Sequence, residues 1–312
     1  MAIHTDSNTN DTALIFEVKG NSLDDGPGIR TVVFFKGCPL NCVWCHNPES
    51  KSGKIALSFD KEACIMCDAC REVCTANALS RDNPYYIDRD KCTLCMSCVE
   101  ECPSGSLSPV GRYWTTQELI AEVEKDIPFF HTSGGGITLS GGEPTRYMNF
   151  IARFLKEVAP KEINILLETC GLFDLQHFLE NVYPWLNIIY FDIKLFDEDK
   201  HRHYCGASNR SILENFTELS KRCRKDGVEL LPRVPLVPGI TATRDNLTAI
   251  ARFLKGLDIH QVGLLSYNPL WFDKCDKIGE KSSCEDMPAM TQWMPTEQIE
   301  QCRAIFKGFD IR

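Results

Sequence analysis

Three cysteines near the N-terminus have the spacing of a metal site with one open position. Cys38, Cys42 and Cys45 form the pattern C-x3-C-x2-C directly after an apolar run. Three thiolates at this spacing can bind three irons of a [4Fe-4S] cluster, which leaves the fourth iron without a protein ligand. An open coordination position predicts chemistry rather than a structural role. The alternatives are three buried thiols or a zinc site, for which only His46 is a local fourth ligand.

Two further cysteine runs, between residues 54 and 109, have closed ligand sets. Each run has the spacing C-x2-C-x2-C-x3-C, and the second begins 28 residues after the first. This is the signature of two-cluster bacterial ferredoxins, in which the last Cys of each run binds the other cluster. Complete Cys ligation predicts electron transfer as the role, and two zinc sites are the alternative. We assign one [4Fe-4S] cluster to Cys64, Cys67, Cys70 and Cys102, and the other to Cys74, Cys92, Cys95 and Cys98.

Length, charge and cysteine content limit the kind of protein. With 312 residues, of which 43% are hydrophobic, the chain suits one large α/β domain with a small insert. A net charge of −9 without any Lys/Arg-rich block argues against nucleic acid and anionic membranes as partners. No run approaches the ~18 apolar residues of a membrane span, and the polar start does not resemble a signal peptide. We therefore expect the 17 cysteines to be reduced thiols in the cytoplasm, and residues 2–11 to be disordered.

The first cysteine motif must be held by a strand, and apolar runs predict a series of them. Residues 31–36 are continuously β-branched or aromatic apart from the last, which predicts a strand buried on both faces, after a first short strand at 13–20. Five more strands are predicted at 137–139, 163–168, 187–194, 228–234 and 261–267. Helices are predicted after Thr115 or Thr116, where Glu118 completes a capping box, and at 146–158, 175–181, 212–225 and 245–257.

These elements make six βα units, fewer than the eight that close a full barrel. The predicted fold class is therefore α/β, an incomplete parallel (β/α)6 barrel with a ferredoxin-like insert. We expect residues 1–53 to form the first part of the barrel, 54–109 the insert and 110–312 the remainder. In such folds catalytic groups collect at the C-terminal ends of the strands, which is where the first cysteine motif lies.

Polar and charged residues follow several of the predicted strands. Along a strand alternate side chains share a face, so Asp192 and Lys194 should project together while Ile193 points away. Any one such charge is usually a solvated strand end, and the loop at 140–144 alone could be an ordinary βα turn. Several strand ends at one barrel mouth would instead converge on a polar ligand. The other strand-end residues are Gly141, Gly142, Glu143, Glu168, Thr169 and Arg233.

These motifs together resemble the activating enzymes of glycyl radical enzymes, a group within the radical S-adenosylmethionine (SAM) superfamily. The resemblance rests on DGPGIR at 25–30, the first cysteine motif followed by WCHNPE, the two-cluster insert, SGGEP at 140–144, DIK at 192–194 and RVPLVPG at 233–239. It implies reductive cleavage of SAM to methionine and a 5′-deoxyadenosyl radical, which removes a Cα hydrogen from a glycine of a partner enzyme. A flavodoxin or ferredoxin-type protein is the implied electron donor.

The resemblance also implies roles for individual residues. Methionine amino and carboxylate groups of SAM bind the open iron, and Lys194 is suited to the carboxylate. Glu168, Thr169 and Asp192 match positions that hold a monovalent cation in a relative. One position departs from the usual pattern, because Asn268 stands where many members have His, and an amide can hydrogen-bond but cannot titrate. The implied SAM contacts are Trp44, Cys45, His46, Gly141, Gly142, Glu143, Glu168, Asp192, Ile193, Lys194, Arg233 and Asn268.

Two other functions are alternatives. A different radical SAM maturase or small-molecule enzyme often carries extra cysteines late in the chain, where Cys275 and Cys284 are the nearest candidates. A non-enzymatic electron carrier would explain the insert but not the first cysteine motif. The sequence does not choose among glycyl radical partners, although the insert argues against the short activators typical of pyruvate formate-lyase. The isolated Cys170, Cys205, Cys223 and Cys302 are predicted to be buried thiols.

Overall fold

The computed structural model describes residues 11–282, 284 and 286–312, so the predicted disordered tail lies outside them except for its last residue. The strands are β1 (Thr12–Ser22), β2 (Arg30–Phe35), β3 (Ala56–Phe59), β4 (Leu107–Val110), β5 (Arg112–Thr115), β6 (Gly136–Gly141), β7 (Asn164–Thr169), β8 (Ile188–Asp192), β9 (Glu229–Leu236), β10 (Gln261–Ser266) and β11 (Asp310–Ile311). The helices are α1 (Ala69–Glu72), α2 (Ser97–Glu100), α3 (Thr116–Val123), α4 (Ile127–Ser133), α5 (Met148–Val158), α6 (Leu175–Asn181), α7 (Glu198–Cys205), α8 (Arg210–Asp226), α9 (Arg244–Gly256), α10 (Trp271–Ile278) and α11 (Thr296–Ile305).

One large sheet has the strand order β11-β10-β9-β8-β7-β6-β2-β1-β5. Six strands of this sheet are parallel, namely β2, β6, β7, β8, β9 and β10, and they are the strands of the six predicted βα units. β11 extends the parallel part, whereas β1 and β5 are added antiparallel at the opposite edge. The predicted α/β class with an incomplete parallel barrel is confirmed. β5 and β11 were not predicted, because runs of four and two residues carry too little periodicity.

The core lies between this sheet and the surrounding helices. Strand side chains are buried on both faces, for example Val32, Val33 and Phe35 in β2, each 0% exposed. The predicted capping box of α3 is present, with Glu118 N donating to Thr115 Oγ1 at 3.2 Å and Thr115 N donating to Glu118 Oε2 at 2.7 Å. The predicted amphipathic helices α5, α6, α8 and α9 are also present. α5 begins two residues later than predicted, because residues 144–147 form a 3₁₀ turn.

A buried arginine fixes the turn before β2. Arg30 is 0% exposed, and its guanidinium donates to Thr138 Oγ1 at 2.7 Å, Ile137 O at 2.7 Å and Asn164 O at 3.1 Å. Burial lowers the pKa of Arg30 to about 10, which still leaves it charged at neutral pH. It also donates to Pro27 O at 3.1 Å, so the glycine-rich turn is tied to β6 and β7. The start of β2, and with it the following cysteine loop, thus has a fixed position on the sheet.

The insert is built as an internal repeat with the same 28-residue period as its cysteines. β3 and β4 pair antiparallel, and the short helices α1 and α2 follow equivalent cysteines. Left-handed φ angles recur at matched positions: 57° at Met66 and 56° at Leu94, and 62° at Asp68 and 65° at Met96. The two halves therefore wrap their cysteines with the same backbone path. A small separate core supports them, made of Leu57, Leu79, Tyr86, Ile87 and Leu107 with buried thiols.

Helix α10 lies between the insert and the barrel. On the insert side, Lys277 Nζ pairs with Asp60 Oδ2 at 2.9 Å, and Arg89 Nη2 donates to Lys277 O at 3.5 Å. On the barrel side, Lys274 Nζ donates to Asn47 Oδ1 at 2.8 Å in the cysteine loop. α10 was not predicted from the sequence, although it contacts both the insert and the loop that bears the first cysteine motif.

Candidate active site

A cavity of about 340 Å³ opens at the C-terminal ends of the parallel strands. One wall carries Cys38, Cys42 and Cys45 from the loop after β2, and the other walls come from the ends of β6 to β10. Parallel α/β sheets place ligand sites at this edge, because the loops there converge. Other predicted site residues that line the cavity are Trp44, His46, Gly141, Gly142, Glu168, Thr169, Asp192, Lys194, Arg233 and Asn268.

The cysteine loop, residues 37–51, is held by backbone hydrogen bonds to α7. Asn41 N donates to Cys205 O at 2.8 Å, and Val43 N donates to Tyr204 O at 3.0 Å. α7 was not predicted, because its sequence EDKHRHYC has few apolar positions. The positions of the three thiols are thus set by a helix that lies more than 150 residues further along the chain.

Four charged side chains form a network on the wall formed by β7, β8 and β9. Arg233 Nη1 donates to Glu168 Oε1 at 2.5 Å, and Arg233 Nε donates to Asp192 Oδ1 at 3.0 Å. Lys194 Nζ donates to Asp192 Oδ2 at 2.8 Å, so these two side chains project together as predicted. Ser140 Oγ donates to Glu168 Oε2 at 2.6 Å and ties β6 to the charged network. Two carboxyl side chains thus alternate with two basic side chains in the network.

Burial and ion pairing shift the pKa values of Arg233, Lys194 and Asp192 in opposite directions. Burial alone would lower the pKa of Arg233 and of Lys194, but the neighbouring carboxylates raise both above their ordinary values. Burial alone would raise the pKa of Asp192, but Lys194 and Arg233 lower it. These three groups are therefore ionised at neutral pH, and a ligand entering the cavity meets fixed charges.

The end of β6 and the loop after it lie too close to the end of β2 and the start of the cysteine loop to allow side chains. Gly142 N donates to Phe35 O at 2.8 Å, and Glu143 N donates to Gly37 O at 2.9 Å. A Cβ atom on Gly142 would lie 2.5 Å from Gly37 O, and one on Gly141 would lie 2.4 Å from Phe35 O. Gly141 also has a φ of +109°, which L side chains rarely adopt. The two glycines are thus needed for this backbone contact.

Gly142→Ala is expected to destabilise the fold by about 1–3 kcal/mol, the usual cost of overpacking. The added methyl group would meet a backbone oxygen, which cannot rotate away as a side chain could. Denaturant unfolding measures the change, and Gly256→Ala is the control, because a Cβ atom there meets nothing within 4 Å. Equal unfolding midpoints for the two variants would show that the loops are not packed as described.

Two predicted SAM contacts have buried side chains. Glu143 is 0% exposed, and its carboxylate accepts from Thr145 Oγ1 at 2.7 Å, Thr169 Oγ1 at 2.9 Å and Cys170 N at 2.7 Å. It therefore cross-links the loops after β6 and β7. Ile193 is 1% exposed and lies in the core, in agreement with the strand pattern that points it away from its neighbours. Through their backbones and packing, both residues fix the wall that bears the charged network.

Two isolated cysteines are buried as predicted, but they also contact the cysteine loop. Cys170 lines the cavity, and its thiol donates to Cys38, which lowers the pKa of Cys38. Cys42 donates to Cys205, and this hydrogen bond, together with burial, raises the pKa of Cys42. Neither contact could be predicted from the sequence, because each joins segments that are far apart in the chain. Ser140, Leu236 and Val237 line the cavity as well and were not predicted as site residues.

The lining of the cavity also includes aromatic and amide groups. Burial lowers the pKa of His46 to about 4, with Lys274 acting in the same direction, so its imidazole is neutral at pH 7. The His46 ring lies edge-on to Tyr267, with 5.6 Å between centroids. Asn268 lines the cavity, and its Oδ1 accepts from Leu270 N at 3.2 Å, which orients the amide.

The residues matched to a monovalent cation site have protein partners here. The guanidinium of Arg233 lies between Glu168 and Asp192 and bonds to both. Thr169 Oγ1 donates to Glu143. The guanidinium of Arg233 thus already pairs with the two carboxylates that would bind a monovalent cation. The bound cation stays a prediction.

In the insert, the thiols with the largest charge effects on Cys70 and on Cys98 belong to the same predicted sets as those two residues, and the ligand sets themselves stay a prediction. Burial raises the pKa of Cys70, a hydrogen bond with Tyr86 lowers it, and the charges of Cys102, Cys64 and Cys67 raise it further. Burial raises the pKa of Cys98 to about 11, and the largest charge effects come from Cys92, Cys74 and Cys95, which share a small cavity with it. We call these sets the Cys102 group (Cys64, Cys67, Cys70, Cys102) and the Cys74 group (Cys74, Cys92, Cys95, Cys98).

The three predicted cysteine sets suit metal clusters and not single metal ions. Among the residues that the structure describes, no three His, Cys, Asp or Glu side chains converge as tightly as a single metal ion requires. A cubane cluster makes a different demand, because each thiolate binds a separate iron. Three thiols beside a cavity fit a cluster with one open iron, and four thiols in each insert group fit a closed one. In the part of the chain that the structure describes, every helix is too short or too polar to span a bilayer.

Residues 32–254 match the Radical SAM superfamily. Because this stretch is well over half of the 312 residues and includes the cysteine loop, the chain belongs to the radical SAM superfamily. A solved radical SAM methyltransferase from Sphaerobacter thermophilus has the same fold, with a TM-score of 0.52 over 96% of this chain and 76% of that chain, at 14% identity.

Two curated relatives narrow the assignment. The trans-4-hydroxy-L-proline dehydratase activating enzyme of Clostridioides difficile is 39% identical over 299 residues, which are 95% of this chain and 96% of the relative. The isethionate sulfite-lyase activating enzyme of Oleidesulfovibrio alaskensis is 40% identical over 269 residues, 84% of this chain and 86% of the relative. Within the superfamily, this chain is an activating enzyme of a glycyl radical enzyme. The resemblance is confirmed, and a simple electron carrier is excluded.

Proposed function

We propose that SAM binds in the cavity between the cysteine loop and the charged network, and that the insert supplies the electron for its cleavage. The observation that carries this proposal is that Cys38, Cys42, Cys45 and the network of Glu168, Arg233, Asp192 and Lys194 line the same cavity. When bound, the [4Fe-4S] cluster supplies one electron for the reductive cleavage of SAM to methionine and a 5′-deoxyadenosyl radical. The chain itself must position SAM and exclude water from the cavity.

The charges of the wall suit the methionine end of SAM. Lys194 is proposed to donate to the carboxylate, and it can do so without leaving Asp192, because an ammonium group has three donors. Asp192 in turn holds Lys194 and Arg233, which keeps both cations in fixed positions. Leu236 and Val237 form an apolar part of the lining. Their side chains reduce the access of water to SAM.

Asp192→Ala and Lys194→Ala are expected to weaken SAM binding by about ten- to a hundredfold, which corresponds to the loss of about 1.5–3 kcal/mol for a hydrogen bond to a charged group. Iron content should not change, because neither residue belongs to a cysteine set. Equilibrium binding of SAM to the anaerobically reconstituted enzyme measures the effect. Lys200→Ala, on the exposed face of α7, is the matched control. Wild-type affinity in both site variants would refute this placement of SAM.

The protein substrate is a glycyl radical enzyme. Its particular reaction is proposed here from the relatives. Relatives of similar identity are named for a dehydratase in one case and a sulfite-lyase in the other. We propose a partner from this dehydratase and lyase group. Mixing the enzyme, SAM and a reductant with each candidate should give a glycyl radical doublet by electron paramagnetic resonance (EPR) with one partner only. If no candidate gives a doublet, the proposed dehydratase and lyase group is excluded.

The insert is proposed to carry two [4Fe-4S] clusters that pass electrons to the cavity from a flavodoxin or ferredoxin-type donor. Three features support this. The thiols that most affect Cys70 and Cys98 belong to the same predicted sets as those two residues, Cys67 and Cys95 are exposed at the surface of the insert, and α10 contacts both the insert and the cysteine loop. Exposed cysteines give a donor protein close access to each set. The helix between the two parts holds them at a fixed separation.

A further inference from the structure

The two cysteine groups of the insert have unequal hydrogen-bonding environments. The Sγ atom of Cys70 lies 3.1 Å from the hydroxyl of Tyr86. In the same group, Cys102 Sγ lies 3.4 Å from Ser106 Oγ and 3.7 Å from Ser104 Oγ. A thiolate bound to iron can only accept, so in the loaded protein these hydroxyls donate to the sulfurs.

The internal repeat shows what stands at the equivalent positions of the Cys74 group. Subtracting the 28-residue period places Ala78 opposite Ser106 and Ala76 opposite Ser104. Tyr86 corresponds in the same way to Ser58, whose side chain is far shorter than a phenol. Ala76 and Ala78 line the small cavity that the Cys74 group shares, so methyl groups face that set where hydroxyls face the other. The repeat therefore allows the surroundings of the two cysteine groups to be compared position by position within one insert.

Tyr86 is held in an unusual conformation. Its φ is +65°, a left-handed value that is a genuine outlier for a bulky aromatic residue. The ring is 8% exposed and stacks on Phe59 with 4.2 Å between centroids. Backbone strain of this kind persists only where the surrounding structure enforces it, and it concentrates at functional sites. Here it places a buried hydroxyl against a buried thiol.

The Cys74 group has hydroxyl neighbours of its own, but at an exposed sulfur. Thr93 and Ser97 contact Cys95, which is exposed. Water can donate to a sulfur at such a position, so these hydroxyls mostly replace water. Cys67, the equivalent residue in the Cys102 group, is exposed in the same way. The contact between Tyr86 and Cys70 is buried, so water cannot replace it. It is therefore the main difference in hydrogen bonding to sulfur between the two groups.

We propose that the hydroxyls of Tyr86 and Ser106 raise the reduction potential of the cluster held by the Cys102 group above that of the cluster held by the Cys74 group. Hydrogen bonds to cluster sulfurs stabilise the more negative, reduced state, and they are among the factors that set these potentials. The Cys102-group cluster is then the first to accept an electron. Tyr86 and Ser106 are positioning residues in this scheme. The inference rests on the proposed function, because it requires that the insert clusters are present.

An EPR-monitored redox titration of the reconstituted full-length enzyme tests this. Tyr86→Phe is expected to lower the potential of the first-reduced insert cluster by about 59 mV, which is tenfold in its reduced-to-oxidised ratio for a one-electron couple. Ser106→Ala should shift the same cluster in the same direction. Ala78→Ser, which places a hydroxyl at the equivalent position, should raise the other cluster. Tyr85→Phe, which removes the neighbouring phenol hydroxyl, is the matched control and should shift neither.

Iron content and circular dichroism confirm that each variant is loaded and folded. Unchanged potentials in loaded Tyr86→Phe and Ser106→Ala would overturn the inference, while SAM cleavage and glycyl radical formation by the wild type would leave the proposed function standing. A shift confined to the other cluster would overturn it as well. A wild-type protein that binds no iron in the insert would refute both the relay and this inference.

Discussion

A variant in which Cys38, Cys42 and Cys45 are all replaced by alanine is expected to keep about eight of about twelve irons and to cleave no SAM, if each cysteine set holds one cubane. The three thiols line the cavity, whereas the insert groups have their own cysteines and their own small core. Loss of the cavity thiols should therefore leave the insert loaded. Iron and sulfide analysis, together with 5′-deoxyadenosine formation under dithionite, measures both effects.

The matched control is Cys302→Ala, which removes a buried thiol in α11 away from all three sets. It should bind about twelve irons and cleave SAM at the wild-type rate. About four irons in the wild-type enzyme, or zinc saturating the insert, would show that the insert does not hold two clusters.

Replacing Cys64 and Cys92 by alanine is expected to reduce glycyl radical formation from a flavodoxin or ferredoxin-type donor to a small fraction of the wild-type yield. The substitution removes one ligand from each insert group, so neither set can close around a cubane. With a small chemical reductant able to reach the cavity, 5′-deoxyadenosine formation should largely survive, because the cysteine loop and the charged network are unchanged. The two readouts on one protein separate electron delivery from SAM cleavage.

This variant must be shown to remain folded, because metal binding supplies much of the folding free energy of a small insert. Circular dichroism and an iron content near four identify a folded barrel with an unloaded insert. If such a protein activates its partner at the wild-type rate from the protein donor, the insert is a docking scaffold rather than an electron relay.

Local patterns predicted much of the fold. A parallel strand buried on both faces appears as an unbroken apolar run, so the six central strands were found within a few residues of their observed ends. The capping box of α3 and the shared side of Asp192 and Lys194 also follow from short-range spacing. The spacing of the insert cysteines also predicts their division into two groups, and that division stays a prediction.

Contacts between distant segments could not be predicted. The thiol of Cys170 meets Cys38, and the last turn of α7 supports the cysteine loop, but neither relation leaves a periodic signal. Glu143 belongs to a recognisable motif, yet its carboxylate bonds to Thr145 and Thr169 instead of facing the cavity. Such side chains bridge loops from different βα units. Their partners become apparent only when the barrel has brought those loops together.

In the proposed assignment of the two clusters, the two halves of the insert are interlocked by their ligands. Each four-thiol group takes three members from one repeat and one from the other, since Cys102 joins Cys64, Cys67 and Cys70 while Cys74 joins Cys92, Cys95 and Cys98. Deleting either repeat would leave three cysteines of one group and one cysteine of the other, so neither group would be complete. The insert therefore cannot be shortened to a working one-cluster module by removing half of it.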